Sequence, residues 1–204
     1  MTELVDSPAS AGEEYTQIAY SSIPSWARPA IAEDAASPAD LPIPAGTSYV
    51  LVGIGDEGCA NVDTWARAIG DAAPVAQVTH ADASGAAAGL RAAVSRSVVG
   101  VRVLVSGPAG ACLTVRASGV NAGLNDDEIH VTVAGSGAID VFCSHCRVVN
   151  QVVAEVDDVI TCNGCARNLL VYYHVSRRTG SYLGYMVDAE EPARAPGTHQ
   201  ESDR

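Results

Sequence analysis

The chain has 204 residues, 48% of them hydrophobic, and a formal net charge of -12. That is enough for one ordinary core and a small appendage. All 12 basic residues are arginine, which excludes Schiff-base, P-loop-lysine and lysine general-base chemistry, and the acidic balance repels a nucleic-acid backbone over long range.

Aromatics make up 5%, with Phe142 the single phenylalanine, so Val, Leu, Ile and Ala must fill the core, as in strands packed under Ala-rich helices. The N-terminal "MTELVDSPASAGEEY" has neither the basic nor the apolar region of a leader, and no run of about eighteen apolar residues marks a membrane span. The expectation is a cytoplasmic protein. In that compartment Cys-x-x-Cys pairs act as metal ligands or dithiols rather than disulfides.

Residues 1–46 carry Pro8, Pro24, Pro29, Pro38, Pro42 and Pro44 among Ser, Ala and Glu, which argues for an extended arm, partly disordered. Within it Ile18, Tyr20, Ile23, Trp26 and Ile31 are too apolar for a linker. They are expected to dock on this chain's own core or on a neighbouring subunit.

Residues 47–136 alternate strand and helix signals. "YVLVGIG" (Tyr49 to Gly55) is a continuous apolar run, expected of a strand buried on both faces. "NVDTWARAIG" predicts a helix with Asn61 as N-cap, Val62, Trp65 and Ile69 at helical spacing, and Gly70 as its stop. "VAQVTH" (Val75 to His80) is the second strand. Asp82 or Ser84 then caps a helix through Leu90, Val94 and Val98 to Gly100. "VRVLVSG" (Val101 to Gly107) is the third strand, Ala111 to Ser118 a short helix, and Glu128 to Gly135 a fourth strand. The pattern predicts a small Rossmann-like parallel sheet, α/β in class.

Residues 137–190 turn to strands without helices. "IDVF" leads into "CSHC", "VVNQVVAEV" and "DDVITC" read as hairpin arms, and "NLLVYYHV" and "SYLGYMVD" follow, the plan of a β zinc ribbon. Residues 191–204 are expected to be a disordered tail.

Cys143, Cys146, Cys162 and Cys165 carry the strongest chemical signal, because each Cys-x-x-Cys turn aims two thiolates at one point. Structural zinc is the default occupant; iron in a rubredoxin-like centre and a free dithiol are the others. His145 and His174 read as surface or core histidines, and Cys59 and Cys112 as small apolar side chains. Gly53 and Gly55 after the first strand, and Gly107 and Pro108 after the third, stand where open α/β sheets bind ligands, although Asp56 and Glu57 put negative charge where phosphates would lie. Tight strand-to-helix turns explain the same glycines. Arg177 and Arg178 are either a solvated turn or a docking point for a partner or a phosphate. Tyr172, Tyr173, Tyr182 and Tyr185 read as ribbon core and interface. No nucleophile, base and acid form a set, so no catalytic residue is assigned.

"SYVLVGIGDEG", "VRVLVSGPAGACLTVRASGVNAG" and "LNDDEIHVTV" together resemble the nicotinamide-binding half of ferredoxin reductases over about residues 48–135. The resemblance implies an NADPH site at Gly53, Gly55, Gly107 and Pro108. Ser106 stands where that family has Cys, no Thr/Ser-Pro follows the first glycines, and "HADAS" lacks the arginine for a 2'-phosphate. Those losses imply a degenerate module.

"CSHC" with "TCNGCARNLLVYYHVSRRTGSYLGYMVDAE" resembles the C-terminal zinc-ribbon domain of the DmmA-like subunit of dimethylamine monooxygenase, over about Asp140 to Glu190. The resemblance implies an accessory subunit of an NADPH-dependent haem monooxygenase complex that demethylates dimethylamine. Its partners would be a haem subunit, a flavin and iron-sulfur reductase subunit and a folate-binding subunit. An electron-transfer or NADPH-binding subunit of such a complex, or an unrelated zinc-ribbon interaction module, are the alternatives. Ala166 stands where ribbons usually carry Gly after the last ligand, which predicts a wider turn.

Overall fold

The computed structural model describes residues 21–28 and 42–187. Its first lobe is built from β1 (Ser48–Ile54), α1 (Gly55–Ile69), β2 (Val75–His80), α2 (Ala83–Val94), β3 (Val101–Gly107), α3 (Ala109–Asn121) and β4 (Ile129–Val133). The four strands are parallel in the order β2-β1-β3-β4. This is a Rossmann-like α/β sheet, with its topological switch between β1 and β3.

β1 is apolar throughout because both its faces are covered. Val50, Val52 and Ile54 pack with Val103 and Val105 under Leu90 of α2 and Cys112 and Val115 of α3. Tyr49 and Leu51 point the other way, with Leu104, onto Val62, Trp65 and Ile69 of α1. Leu51 is fully buried. Truncating such a side chain to Ala costs about 2–5 kcal/mol.

Three helix boundaries depart from the sequence expectation. α1 starts at Gly55, so Asn61 lies inside it rather than capping it, and Asp56 and Glu57 occupy the first turn, where the helix dipole favours carboxylates. Asn61 instead donates through Nδ2 to Oγ of the buried Ser106 at 2.9 Å. α2 stops at Val94. Val98, expected to continue its apolar stripe, is exposed, as is Val99. α3 runs longer than expected because Gly110 and Gly119, which look like helix breakers, are places of close approach: a Cβ on Gly110 would meet the Ala138 carbonyl oxygen, and one on Gly119 would meet Ile129 Cδ1 at 2.9 Å.

The second lobe is a sheet of β5 (Ile139–Cys143), β6 (Val149–Val152), β7 (Val159–Thr161), β8 (Asn168–Val175) and β9 (Tyr182–Met186), in the order β6-β5-β9-β8-β7. The expected hairpin between "VVNQVV" and "DDVIT" does not form. β6 pairs with β5 and β7 with β8, which puts them on opposite edges, while β9 enters the middle parallel to β5. Alternation along β6 explains the outcome: it buries Asn150, which faces Val141 across the strand pair, and leaves Val149 and Gln151 outside.

The lobes share a core of Leu113 from α3 with Ile139, Val141, Val171, Val175 and Tyr182 from the second sheet. Ile23 completes it and is almost fully buried. Ser22 secures that insertion by accepting the Val175 N–H at 2.8 Å through Oγ. The described part of the arm thus docks on this chain's own core; Ile18, Tyr20 and Ile31, like the tail 191–204, lie outside the described residues. No helix among the described residues is long and apolar enough to cross a membrane.

Candidate metal centre

Two tight turns close the end of the second sheet. Cys143 ends β5 and is followed by a turn in which Arg147 N–H bonds the Cys143 carbonyl at 3.0 Å; Ala166 N–H bonds the Cys162 carbonyl at 2.9 Å in the matching turn before β8. The residue after each second cysteine takes a left-handed backbone, with φ 66° at Arg147 and 56° at Ala166. The turn at Ala166 is therefore as tight as its partner, not wider. Ala166 adopts the conformation that glycine would take without steric cost.

The turns bring the four sulfurs within 4.8 Å of one another. Cys143 Sγ lies 3.8 Å from Cys165 Sγ, and Cys146 Sγ 3.5 Å from Cys162 Sγ. Four thiolates about 2.3 Å from a tetrahedral centre would stand about 3.8 Å apart, so the set can hold a metal ion. It is the one converging group of three or more His, Cys, Asp or Glu side chains among the described residues. A four-thiolate site leaves no open coordination position for a substrate.

The surrounding groups favour thiolate at Cys162 and oppose it at Cys146 and Cys165. Against a backbone N–H bond in both cases, burial and neighbouring sulfurs push Cys146 up to about 12 and raise Cys165. Burial raises the Cys162 thiol, but the N–H groups of Gly164 and Cys165 and the neighbouring sulfurs outweigh it and bring it down to about 6. Gly164 N–H reaches Cys162 Sγ at 3.4 Å and Cys146 N–H reaches Cys143 Sγ at 3.5 Å. Asn150 links the two turns from beneath. Its Nδ2 donates to the Val141 carbonyl at 3.2 Å and approaches Cys162 Sγ at 3.7 Å, and its Oδ1 accepts the Asn163 N–H at 2.8 Å. Sequence reasoning missed Asn150; the signal is an amide on the inward parity of a strand between two Cys pairs.

His145 is exposed on the first turn. His174 Nδ1 lies 3.0 Å from Ser22 Oγ, away from the sulfurs. Cys112 is buried and pushed up to about 12 by that burial, and Cys59 is raised by burial, Asp56 and Asp63. Both thiols are poor nucleophiles.

The glycines at the switch point serve helix-to-sheet packing. A Cβ on Gly53 would meet the Gly58–Cys59 backbone at 2.9 Å, and one on Gly107 would meet Ile54 Cβ at 2.8 Å. Gly55, at φ +70°, has open space where a Cβ would stand. Pro108 lines a small hollow of about 210 Å³ with Ile54, Gly110, Asp82 and Asp140. That hollow presents two carboxylates and no guanidinium.

Arg177 and Arg178 part company. Arg177 joins Arg116 of α3 in a two-sided grip on Asp126, at 2.5 and 2.6 Å. Arg178 lines a cleft of about 480 Å³ between the lobes, with Arg91, Thr114, Ser118, Asn121 and Asp140. Tyr182 belongs to the inner core, while Tyr172 and Tyr185 are exposed.

Residues 140–185 match the family described as "Dimethylamine monooxygenase subunit DmmA-like, C-terminal domain". A 94-residue stretch of the chain is 34% identical to the heme-dependent oxidative N-demethylase delta subunit of Ectopseudomonas mendocina (strain ymp). The match covers 46% of this chain and 53% of that relative, so this chain spans about half the length of the relative it matches. No solved structure matches the chain.

Proposed function

We propose, proceeding from residues 140–185 as a DmmA-like C-terminal domain, that this chain is a zinc-holding accessory subunit of a haem-dependent oxidative N-demethylase acting on dimethylamine. The observation that carries this reading is the likeness of the metal-binding lobe to that family, joined to a relative named as a subunit of such an enzyme. The closed tetrathiolate supports a structural metal, and zinc is the ion that four cysteines at this spacing ordinarily take. When bound, zinc would tie the two turns together without supplying an open coordination position. The chain's own contribution would be a rigid surface.

The demethylation itself would fall to the partners: a haem subunit, a flavin and iron-sulfur reductase subunit drawing on NADPH, and a folate-binding subunit. The packing role of Gly53 and Gly107 leaves Gly55 and Pro108 as the positions of a nicotinamide site on this chain, and Pro108 stands beside Asp82 and Asp140. Reconstitution tests the reading. The purified chain should be colourless, carry one zinc, and turn over no dimethylamine alone, yet raise the rate of an enzyme assembled from the other subunits. A rate unchanged by its omission would overturn the reading.

A further inference from the structure

The inner face of the second sheet packs against α3 and Ile23. On its outer face Asp140 and Gln151, at the foot of β5 and β6, border the cleft beside α3, and the positions beyond them have no such cover among the described residues. Strand register fixes what that outer face presents. Val149, Phe142 and Leu183 are neighbours across β6, β5 and β9, and Tyr185, Leu170 and Val159 are neighbours across β9, β8 and β7. Tyr172 follows Val171, which is buried on the inner face, at the start of the irregular pairing of β8 with β9 between Val171 and Val175. Tyr172 is 46% exposed, Val149 50%, Tyr185 52% and Val159 56%. An apolar, aromatic row that crosses all five strands is more than the scattered exposure of a free surface.

The charge around it is segregated. In a chain of net charge -12, residues 141–154 and 159–187 contain no Asp or Glu, yet they hold Arg147, Arg167, Arg177 and Arg178. Arg147 and Arg167 sit at the metal-binding turns, and Arg177 and Arg178 lie in the turn between β8 and β9, at the far end of those strands. Arg177 is held by Asp126 and Arg178 lines the cleft between the lobes, which leaves Arg147 and Arg167, at the metal-binding turns, as the cations beside the row. Asp140 shares the parity of Phe142 at the opposite end.

We propose that this outer face is the surface by which the chain docks on another subunit, and that the partner presents an apolar patch with carboxylates where it meets the metal-binding turns. Arginine at the turn end beside an apolar row that carries two tyrosines is the composition of an interface, where aromatic and guanidinium groups dominate. A chain this acidic approaches a partner of like charge where its own carboxylates are sparse, and the end of this face beside the metal-binding turns meets that condition. The metal holds the turn end of the sheet rigid, which lowers the entropy lost on docking.

The proposal rests on the accessory-subunit reading, and the test separates the two. The chain is co-expressed with the haem, reductase and folate-binding subunits, and affinity is measured by titration of purified components. Wild type should bind; Tyr172→Ser with Tyr185→Ser, both exposed positions, should weaken binding at least tenfold while metal content and melting stay unchanged. Val149→Glu with Val159→Glu should weaken it further, and Val149→Arg with Val159→Arg should weaken it less. No binding by wild type would remove the accessory-subunit reading itself. Wild-type binding that the tyrosine pair leaves unaltered would remove the docking face alone. Equal damage from Glu and Arg would show that the partner is not acidic. The docking assignment also falls if the tyrosine pair instead abolishes self-association, vesicle binding or RNA binding, or if the face is protected from hydrogen exchange in the isolated chain by one of its own segments.

Discussion

Asn150 accepts the backbone N–H of Asn163 at 2.8 Å, joining the strand that follows the first Cys pair to the turn that carries the second. Its side chain is fully buried and also donates toward the Val141 carbonyl and Cys162 sulfur. Replacing it with Ala strands a buried N–H and carbonyl, which costs about 1–3 kcal/mol. The metal should be lost more readily too, since groups that orient ligands are worth about 10–100-fold in metal affinity. Competition with a chromogenic chelator reads the second effect and urea unfolding the first.

Ala166 and Gly164 make opposite demands on the same turn. Ala166 sits at φ 56°, so Ala166→Gly should raise stability by about 0.5–1 kcal/mol, less than the full left-handed penalty because glycine also loosens the unfolded chain. Gly164→Ala should do the reverse, as its Cβ would meet Val148 Cγ2 at 2.7 Å and Cys146 Sγ at 3.0 Å. Thermal melts of the zinc-loaded variants check both signs.

The glycines of the first lobe should respond as packing residues. A Cβ on Gly58 would strike the Ser106 carbonyl oxygen, and one on Gly53 the α1 backbone. Gly58→Ala and Gly53→Ala should each destabilise the sheet by roughly 1–3 kcal/mol. Gly55→Ala meets no neighbour and should cost only the left-handed penalty of about 1–2 kcal/mol. Denaturation curves of the three variants rank them.

The grip on Asp126 should prove unequal. Arg177 is 59% exposed and Arg116 15%, so losing Arg177 removes a solvated pair worth less than about 1 kcal/mol. Asp126→Ala leaves the more buried Arg116 unpaired and should cost more than Arg177→Ala. A double-mutant cycle at two salt concentrations measures the difference, and added salt should shrink it.

His130 gives the fold an acid sensitivity. Burial lowers its pKa below the ordinary 6.5, with Arg102 lowering it further against a bond to the Asp127 backbone. Its Nε2 is buried without a hydrogen-bond partner among the described residues. The unfolded chain therefore takes up the proton first as pH falls. Stability from this group is intact above pH 6.5, declines as pH drops below 6.5, and levels off under the folded value. His130→Gln should flatten that part of a stability-against-pH curve.

The parallel sheet was legible because its central strands are continuous apolar runs, a pattern that only burial on both faces permits. The ligand set was legible because two Cys-x-x-Cys turns leave little geometric freedom. Pairing order in the second lobe was not: β7 is three residues long, and only the burial of Asn150 and the central place of β9 decide which strands meet. Gly110 and Gly119 misled for a related reason, since a glycine that permits contact reads like one that ends a helix. Ile23 could be flagged as apolar but not assigned a site, because one isoleucine between prolines carries no periodicity.

Native mass spectrometry of the chain co-expressed with the haem subunit and the remaining subunits of the same enzyme tests the central claim most directly. The account predicts a complex containing this chain with one zinc, which falls apart when a chelator removes the metal. A complete enzyme that assembles without this chain, which remains free and zinc-loaded in the same sample, would contradict it.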